Sequence, residues 1–263
     1  MKYLNMISLK GKNVVISGAC GLLGKEFCKG LAEFGANLVL ADIKFDQAKE
    51  FSEELKNLYN IDVRAIKLDI TSEKSVENMI EELMESNTPI HSFINSAYPR
   101  NKAYGTLFEN ITLDNWRENV DMHLNGYFNV TQKISKVMMK QGFGNIITMG
   151  SIYGILGPDF KIYEGTKMTM PAEYSAIKGA IVNFTKYLAT YLAKYNIRVN
   201  CISPGGIFDH QPQEFMEKYN LRTPLGRMGL PEEITGGVIY LISDLSGYVT
   251  GQNLVIDGGW SIW

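Results

Sequence analysis

Tyr174 and Lys178 are four residues apart in the run Tyr174-Ser175-Ala176-Ile177-Lys178. On a helix that spacing puts both side chains on one face, one turn from each other. An ordinary tyrosine titrates near pH ~10, too high for a base at neutral pH. A cation held beside it favours the phenolate and lowers that value. A unit charge at ~4 Å is worth ~4 kcal/mol at an effective dielectric of ~20, which is roughly three pK units. Such a pair could exchange a proton with a substrate near physiological pH, where general acid–base catalysis is most effective. An ordinary amphipathic helix carries the same spacing, so the elements around the pair must decide.

Those elements alternate. The apolar run Asn13-Val14-Val15-Ile16-Ser17 breaks into Gly18-Ala19-Cys20-Gly21-Leu22-Leu23-Gly24, and a helical pattern follows through Phe34, closed by Gly35. Leu38-Val39-Leu40-Ala41 is the next apolar run and ends in Asp42, 18 positions after Gly24. Strand, glycine turn, helix, strand and acid is the context a dinucleotide-binding turn requires. The glycines let the backbone approach a pyrophosphate. The helix start at Leu22 and Leu23 offers unpaired N–H groups and a positive dipole end. Asp42 could accept hydrogen bonds from the adenosine ribose and would repel a 2′-phosphate, so NAD is expected over NADP.

Further along, a helix is expected over Asp46–Tyr59, a strand over Val63–Leu68 leading to Asp69-Ile70, and a helix capped by Thr71 or Ser72 and running to Glu85. Ile90–Ile94 is a fourth strand, before Asn95-Ser96-Ala97-Tyr98. A long helix is expected over Thr112–Met139, loosened near Asn125-Gly126. Asn145–Met149 delivers Gly150-Ser151, and the Tyr174 helix runs to Tyr195. Arg198–Ile202 leads to Ser203-Pro204-Gly205-Gly206, Pro231-Glu232-Glu233 opens a last helix, and Asn253–Ile256 is a seventh strand. The pattern predicts a single doubly wound Rossmann-type α/β domain over residues 1–263, with a parallel sheet of about seven strands flanked by helices. Such sheets bind ligands at the carboxyl ends of their strands. Gly18–Gly24, Asp42, Asp69, Asn95, Ser151 and Pro204 all fall at such ends.

Bulk properties exclude other classes. The 263 residues are 45% hydrophobic and 21% charged, with a net charge of −2, so no general attraction to nucleic acid or acidic membranes is expected. No apolar stretch approaches ~18 residues and the N-terminus lacks a signal-like run, so a cytoplasmic protein is expected. Cys20, Cys28 and Cys201 show no paired spacing for a metal and read as reduced, buried thiols.

The set Ser17–Gly24, Asn95-Ser96-Ala97, Ser151, Tyr174–Lys178, Pro204-Gly205 and Asp257-Gly258-Gly259 resembles the short-chain dehydrogenase/reductase family, in order and spacing, over nearly the whole chain. The resemblance implies roles. Tyr174 would be the acid/base, Lys178 would hold the nicotinamide ribose and lower the Tyr174 pKa, and Ser151 would orient the reacting oxygen. Asp69 and Ile70 would flank the adenine, and Asn95, Ser96 and Ala97 would support the cofactor ribose. The segment Pro204, Gly205 to Ile207 would contact the carboxamide. Relatives are often tetramers, which implies a homo-oligomer, either dimer or tetramer.

Five departures from the family stand out. Its Gly-x-x-x-Gly-x-Gly pattern puts Leu22 at the middle glycine, with Gly21 one place earlier. Its asparagine in the proton relay to solvent falls on His123, seven residues after Trp116. A histidine can donate and accept, and it titrates near ~6.5, which would add a pH dependence. Ser151 and Tyr174 are 23 positions apart, which opens an inserted loop over 159–171 expected to overhang the substrate pocket. This insertion, with its Tyr163-Glu164-Gly165-Thr166 core, is similar to one in family members labelled flagellin-modification or sialic-acid-like sugar biosynthesis proteins. Tyr98 replaces a small glycine, and Pro99 stiffens a loop where Arg100 and Lys102 could meet an anionic substrate. Asp209 stands where many relatives have a threonine near the cofactor.

A lid is expected over 207–225. Its mixture of aromatic and polar residues, with Tyr98, Arg100 and Tyr153 nearby, suits a polar, sugar-like small-molecule substrate. The expected activity is NAD-dependent interconversion of a secondary alcohol and a ketone. The alternatives are a 3-oxoacyl-thioester reductase and, from another class, a non-catalytic NAD-binding scaffold. The retention of Ser151, Tyr174 and Lys178 together argues against the scaffold.

Overall fold

The computed structural model describes residues 1–86 and 88–263. Its strands are β1 (Asn13–Ser17), β2 (Asn37–Asp42), β3 (Val63–Lys67), β4 (Ser92–Asn95), β5 (Gly144–Met149), β6 (Ile197–Pro204) and β7 (Asn253–Ile256). All pair in parallel, in the order β3-β2-β1-β4-β5-β6-β7. The strands read as apolar runs because helices cover both faces of the sheet. The helices are α1 (Lys2–Ile7), α2 (Leu22–Glu33), α3 (Phe45–Tyr59), α4 (Glu73–Glu85), α5 (Leu113–Val120), α6 (Gly126–Gln141), α7 (Ala172–Leu192), α8 (Gln213–Arg222) and α9 (Pro231–Ile242). Buried residues of α4, α6 and α7 fill one face, and those of α2, α3 and α9 fill the other. Strand order reverses between β1 and β4. The carboxyl ends of those two strands therefore frame the crevice where such sheets take ligands.

The local signals act as expected at three helix starts. Ser72 caps α4 by accepting from the Ser75 amide at 3.2 Å, and Thr112 caps α5 through Asn115. Pro231 starts α9, and the Glu233 carboxylate accepts from the Leu230 amide at 2.8 Å. The expected long helix is instead two helices joined by a wider π-helical turn at Asp121–Asn125. Such turns carry an extra residue per loop and recur at functional sites. This one turns His123 inward and leaves Asn125 exposed.

Two helices went unread in the sequence, α1 and α8. The segment 207–225 is not merely a loop: α8 buries Phe215 and Tyr219 in a third cluster with Ile152, Tyr153, Ile162, Tyr163, Met228 and Trp260. The chain end docks on it, with Trp260 stacked on Tyr219 at 4.2 Å and the Trp263 indole N–H donating to the Arg222 carbonyl. The three cysteines are buried and unbridged. Among the described residues, no helix is long and apolar enough to cross a membrane.

Candidate active site

The glycine turn follows β1 directly. Gly18 has φ +70°, and a Cβ there would lie 2.8 Å from the Ala97 Cα. A Cβ on Gly24 would lie 2.1 Å from the Gly18 carbonyl oxygen, so α2 can close on the turn only over a glycine. Gly21 is different. It is the N-cap of α2 in an extended conformation, φ −74°, which any residue can adopt. No side chain caps α2 and no acid lies in its first turn. The first-turn amides, at Leu22, Leu23 and Gly24, are the groups a helix cannot satisfy internally. The Leu22 side chain points outward, 46% exposed, so its replacement of a glycine leaves the main-chain cradle intact. This uncapped, uncharged helix start over a glycine-only contact fits a dinucleotide pyrophosphate.

Asp42 closes the same end. It is buried, and its two oxygens accept from the amides of Cys20 at 2.8 Å and Lys44 at 2.9 Å. The acid thus fixes the glycine turn as well as facing it, a second task that nothing in its spacing revealed. Asp69 likewise accepts from the Thr71 amide and hydroxyl at 2.9 and 2.7 Å. Ile70 is buried, with its side chain against Gly126.

Asn95 is fully buried, its side chain sealed between elements. It accepts from the Ser17 hydroxyl at 2.9 Å and donates to Thr131 at 3.2 Å, while Tyr127 donates to its carbonyl at 2.6 Å. It therefore ties β1, β4 and α6 together, and its side chain is spent within the fold rather than left open to a ligand. On the far side, β6 hands the chain to Pro204, Gly205 and Ile207. The Gly205 amide donates to Ile256, and Tyr219 of α8 accepts from the Gly206 amide.

Ser151, Tyr174 and Lys178 converge between the end of β5 and the first turns of α7. Ser151 is buried and its hydroxyl accepts from the Tyr153 amide at 3.2 Å. Lys178 is buried, donates to the Met149 carbonyl at 2.7 Å, and lies 5.6 Å from the Tyr174 ring centre. The expected electrostatics are not those of the chain's own groups. Burial raises the Tyr174 phenol above its ordinary value, the nearby Tyr98 adds to this, and only the Ser151 hydroxyl opposes it. Burial also brings Lys178 down to about 8. Desolvation penalises both charged forms and outweighs their mutual attraction at this separation. His123 is corrected in the same sense. It is buried between Tyr98 and Tyr127, and burial, with Lys178 nearby, holds its pKa well below 6.5. It is neutral at physiological pH, and its Nε2 has no partner among the described residues.

Tyr98 stands over this group. Its ring meets Tyr174 edge-on at 5.8 Å and His123 at 5.1 Å, with the Lys178 ammonium 5.6 Å from its centre. Its hydroxyl pairs with that of Tyr104, and the Arg100 guanidinium lies over both rings, at 5.3 and 5.9 Å. Behind this loop, Asn119 accepts from the Asn101 amide at 3.0 Å and donates to Glu173 at 2.9 Å. Asn119, Glu173 and Tyr104 were missed in the sequence. Asn119 lies one helical turn before His123, which is the only local signal that could have marked it.

The insertion does not hang free. Its Phe160–Tyr163 turn buries Ile162 and Tyr163, and Tyr163 donates to the Tyr153 hydroxyl at 3.4 Å. Lys218 of α8 donates to the Glu164 carbonyl, and Arg222 pairs with Asp159 at 3.5 Å. Insertion, α8 and chain end thus form one aromatic cap packed against Tyr174. A hollow of about 260 Å³ beneath α8, lined by Phe208, Met216, Asn220, Arg227, Met228 and Leu230, opens beside the cap rather than at Tyr174 itself.

Comparison with known proteins agrees with this architecture. Residues 18–261 match the family described as enoyl-(acyl carrier protein) reductase. The chain is 37% identical to post-translational flagellin modification protein A of Campylobacter coli, over 97% of this chain and all of that one. It is similar to a short-chain dehydrogenase of Leptospira borgpetersenii with bound NAD+, at 38% identity and TM-score 0.86, covering 97% and 94% of the two chains. It also resembles a gluconate 5-dehydrogenase of Burkholderia cenocepacia in complex with NADP and tartrate, at 27% identity and TM-score 0.89 over 99% of each chain. With the parallel seven-stranded sheet and the Ser151, Tyr174 and Lys178 cluster at its carboxyl edge, these matches place the chain in the short-chain dehydrogenase/reductase family, as an NAD(P)-dependent oxidoreductase acting on CH–OH groups.

Proposed function

We propose that the protein interconverts a secondary alcohol and a ketone on a polar, sugar-like molecule, with NAD as the preferred dinucleotide, in the making of a flagellin glycan. The observation that carries the reaction is the convergence of the buried Ser151 and Lys178 on the partly buried Tyr174. When bound, the dinucleotide supplies a hydride donor or acceptor and, oxidised, a positive ring charge that favours the phenolate. Tyr174, protonated in its buried setting, donates its proton to a carbonyl oxygen during reduction and recovers it during oxidation. Ser151 holds that oxygen by a hydrogen bond. Lys178, whose own proton is loosely held at about 8, orients the ribose and passes the proton onward. His123, neutral and with a free ring nitrogen, holds the inner end of that path. The buried Asp42 carboxylate supports the choice of NAD, since a 2′-phosphate would meet a like charge.

The sugar-like substrate is supported by the tyrosine-rich walls, in which Tyr98, Tyr104, Tyr153 and Tyr163 offer both faces and hydroxyls, and by the flagellin-modification relative. A second reading, 3-oxoacyl-thioester reduction, is favoured by the apolar hollow under α8 and by the description of the matching family. A substrate panel followed by NADH fluorescence separates the two. Turnover of polyols and sugars is expected. None, alongside robust acyl-thioester reduction, would sink the sugar reading. With an active substrate, Tyr174→Phe should lower kcat by about 10²–10⁴-fold while NADH still binds. A rate close to that of the unaltered protein would reject the acid–base assignment.

A further inference from the structure

We propose that Arg100, Tyr98 and Tyr104 form an anion clamp. It would recognise an oxyanion, phosphate or carboxylate, carried by the substrate at the end away from its reacting carbon. This deepens the sugar reading above and rests on it.

The first argument is how Arg100 is held. Arg117, Arg222 and Arg227 each pair with a carboxylate, and Arg198 donates to the carbonyls of Val249 and Leu241. Among the described residues, Arg100 has no carboxylate within 4 Å. It is held instead by two tyrosine faces, at 5.3 and 5.9 Å. One tyrosine hydroxyl does not use up a guanidinium's fork of five N–H donors, so the rest of the fork remains open to a ligand. That fork matches the paired oxygens of a carboxylate or phosphate.

The second argument is place. Arg100 lies against Tyr98, and Tyr98 lies against Tyr174, so the guanidinium stands one ring out from the proposed proton donor. A molecule whose reacting oxygen meets Tyr174 and Ser151 reaches the clamp with its distal end. Lys102, exposed in the same loop, adds a second positive charge.

The third argument is rigidity. Asn101 anchors the loop from behind. Its amide N–H donates to Asn119, its side chain donates to Glu118 at 2.6 Å, and its side-chain oxygen accepts from the Ala103 amide at 3.0 Å. Thr106 donates to the Ala103 carbonyl at 2.6 Å. Asn119 in turn donates to the buried Glu173, the residue before Tyr174. The loop and the proton donor thus share one hydrogen-bonded frame, which fixes the distance between anion and reacting oxygen. Each of the two carboxylates behind the loop, Glu118 and Glu173, gives an oxygen to an asparagine amide.

Calorimetric titration of the full-length protein saturated with NAD+ tests the proposal. The probes are a neutral hexose, its phosphate ester and the matching hexuronate. The proposal expects an anionic probe to bind more tightly than the neutral one. Arg100→Met should cut that preference about 10- to 100-fold, the range of a charge-assisted hydrogen bond, with Arg100→Lys falling between. Arg117→Met, which removes an equal charge from α5, should leave the preference in place. The two anionic arms tell phosphate from carboxylate. No preference for either anion, or a preference that survives Arg100→Met, overturns the clamp. If the anionic sugar binds through Arg100 but is never oxidised with NAD+, the clamp stands and the proposed reaction falls.

Discussion

At the β1–α2 end of the cleft, shape is set by the main chain. Gly18 sits at positive φ, Gly24 touches a carbonyl, and Asp42 holds two amides. At the β4–β5 end, shape is set by side chains. Tyr98, Tyr104 and Arg100 form one wall, while Tyr163, Tyr219 and Trp260 carry the cap. A backbone cradle works for any chain that can make the turn, so it tolerates Leu22 in place of a glycine. A side-chain wall has the shape of its residues and changes whenever they do. The contrast separates a main-chain cradle from a side-chain wall, and the substrate contacts proposed above fall on the wall.

The largest effect that probes this contrast is at Trp260, buried and stacked on Tyr219. Trp260→Ala should cost about 3–5 kcal/mol in denaturant unfolding, the usual range for a large buried aromatic. At a temperature where the variant is folded, it should weaken substrate binding and spare NADH binding. Equal damage to both would break the division into two ends.

A smaller effect concerns Lys178, shared by both ends. Its folded pKa is about 8 against 10.5 ordinarily. Between those values the unfolded chain binds more protons, so stability rises with pH across that window. The gain should be about 2 kcal/mol between pH 8 and pH 10. Unfolding midpoints for the unaltered protein and Lys178→Met test this, because the slope attributed to Lys178 must vanish in the variant. Above pH 10 the raised tyrosines act in the opposite direction, since they hold protons in the fold that the unfolded chain releases.

The smallest expected effect is at Asp42. Asp42→Ala should raise the ratio of NADP to NAD affinity about tenfold, equivalent to roughly 1.4 kcal/mol. The ratio is the proper readout because losing the Cys20 amide contact weakens both dinucleotides. A ratio that does not move removes the electrostatic account of NAD preference.

Local order was legible from residue types and spacing. Strand runs, glycine turns and helix caps obey rules that act within a few residues, so the sheet, most of its helices and the family could be read before any coordinates. The Tyr174–Lys178 spacing and the seven-residue count from Trp116 to His123 belong to the same order. The sequence also marked 159–171 as an insertion and Tyr98 as a departure. It could not give their surroundings, because Tyr163 meets Tyr153, Phe215 and α8 only after distant segments pack.

Charge states were the least legible. Lys178 and His123 carry ordinary titration values in any unfolded segment, and spacing suggested that Lys178 would bring Tyr174 toward neutrality. The fold buries Lys178 and His123 and partly covers Tyr174 beside them, and loss of solvent works against the charged form of each. The sequence by itself thus determined which groups stand at the carboxyl edge of the sheet, since one-turn spacings and strand ends are local geometry. Only the tertiary structure decided their protonation, the closure of the aromatic cap and the framing of Arg100. Desolvation and side-chain packing depend on every element that comes to lie nearby.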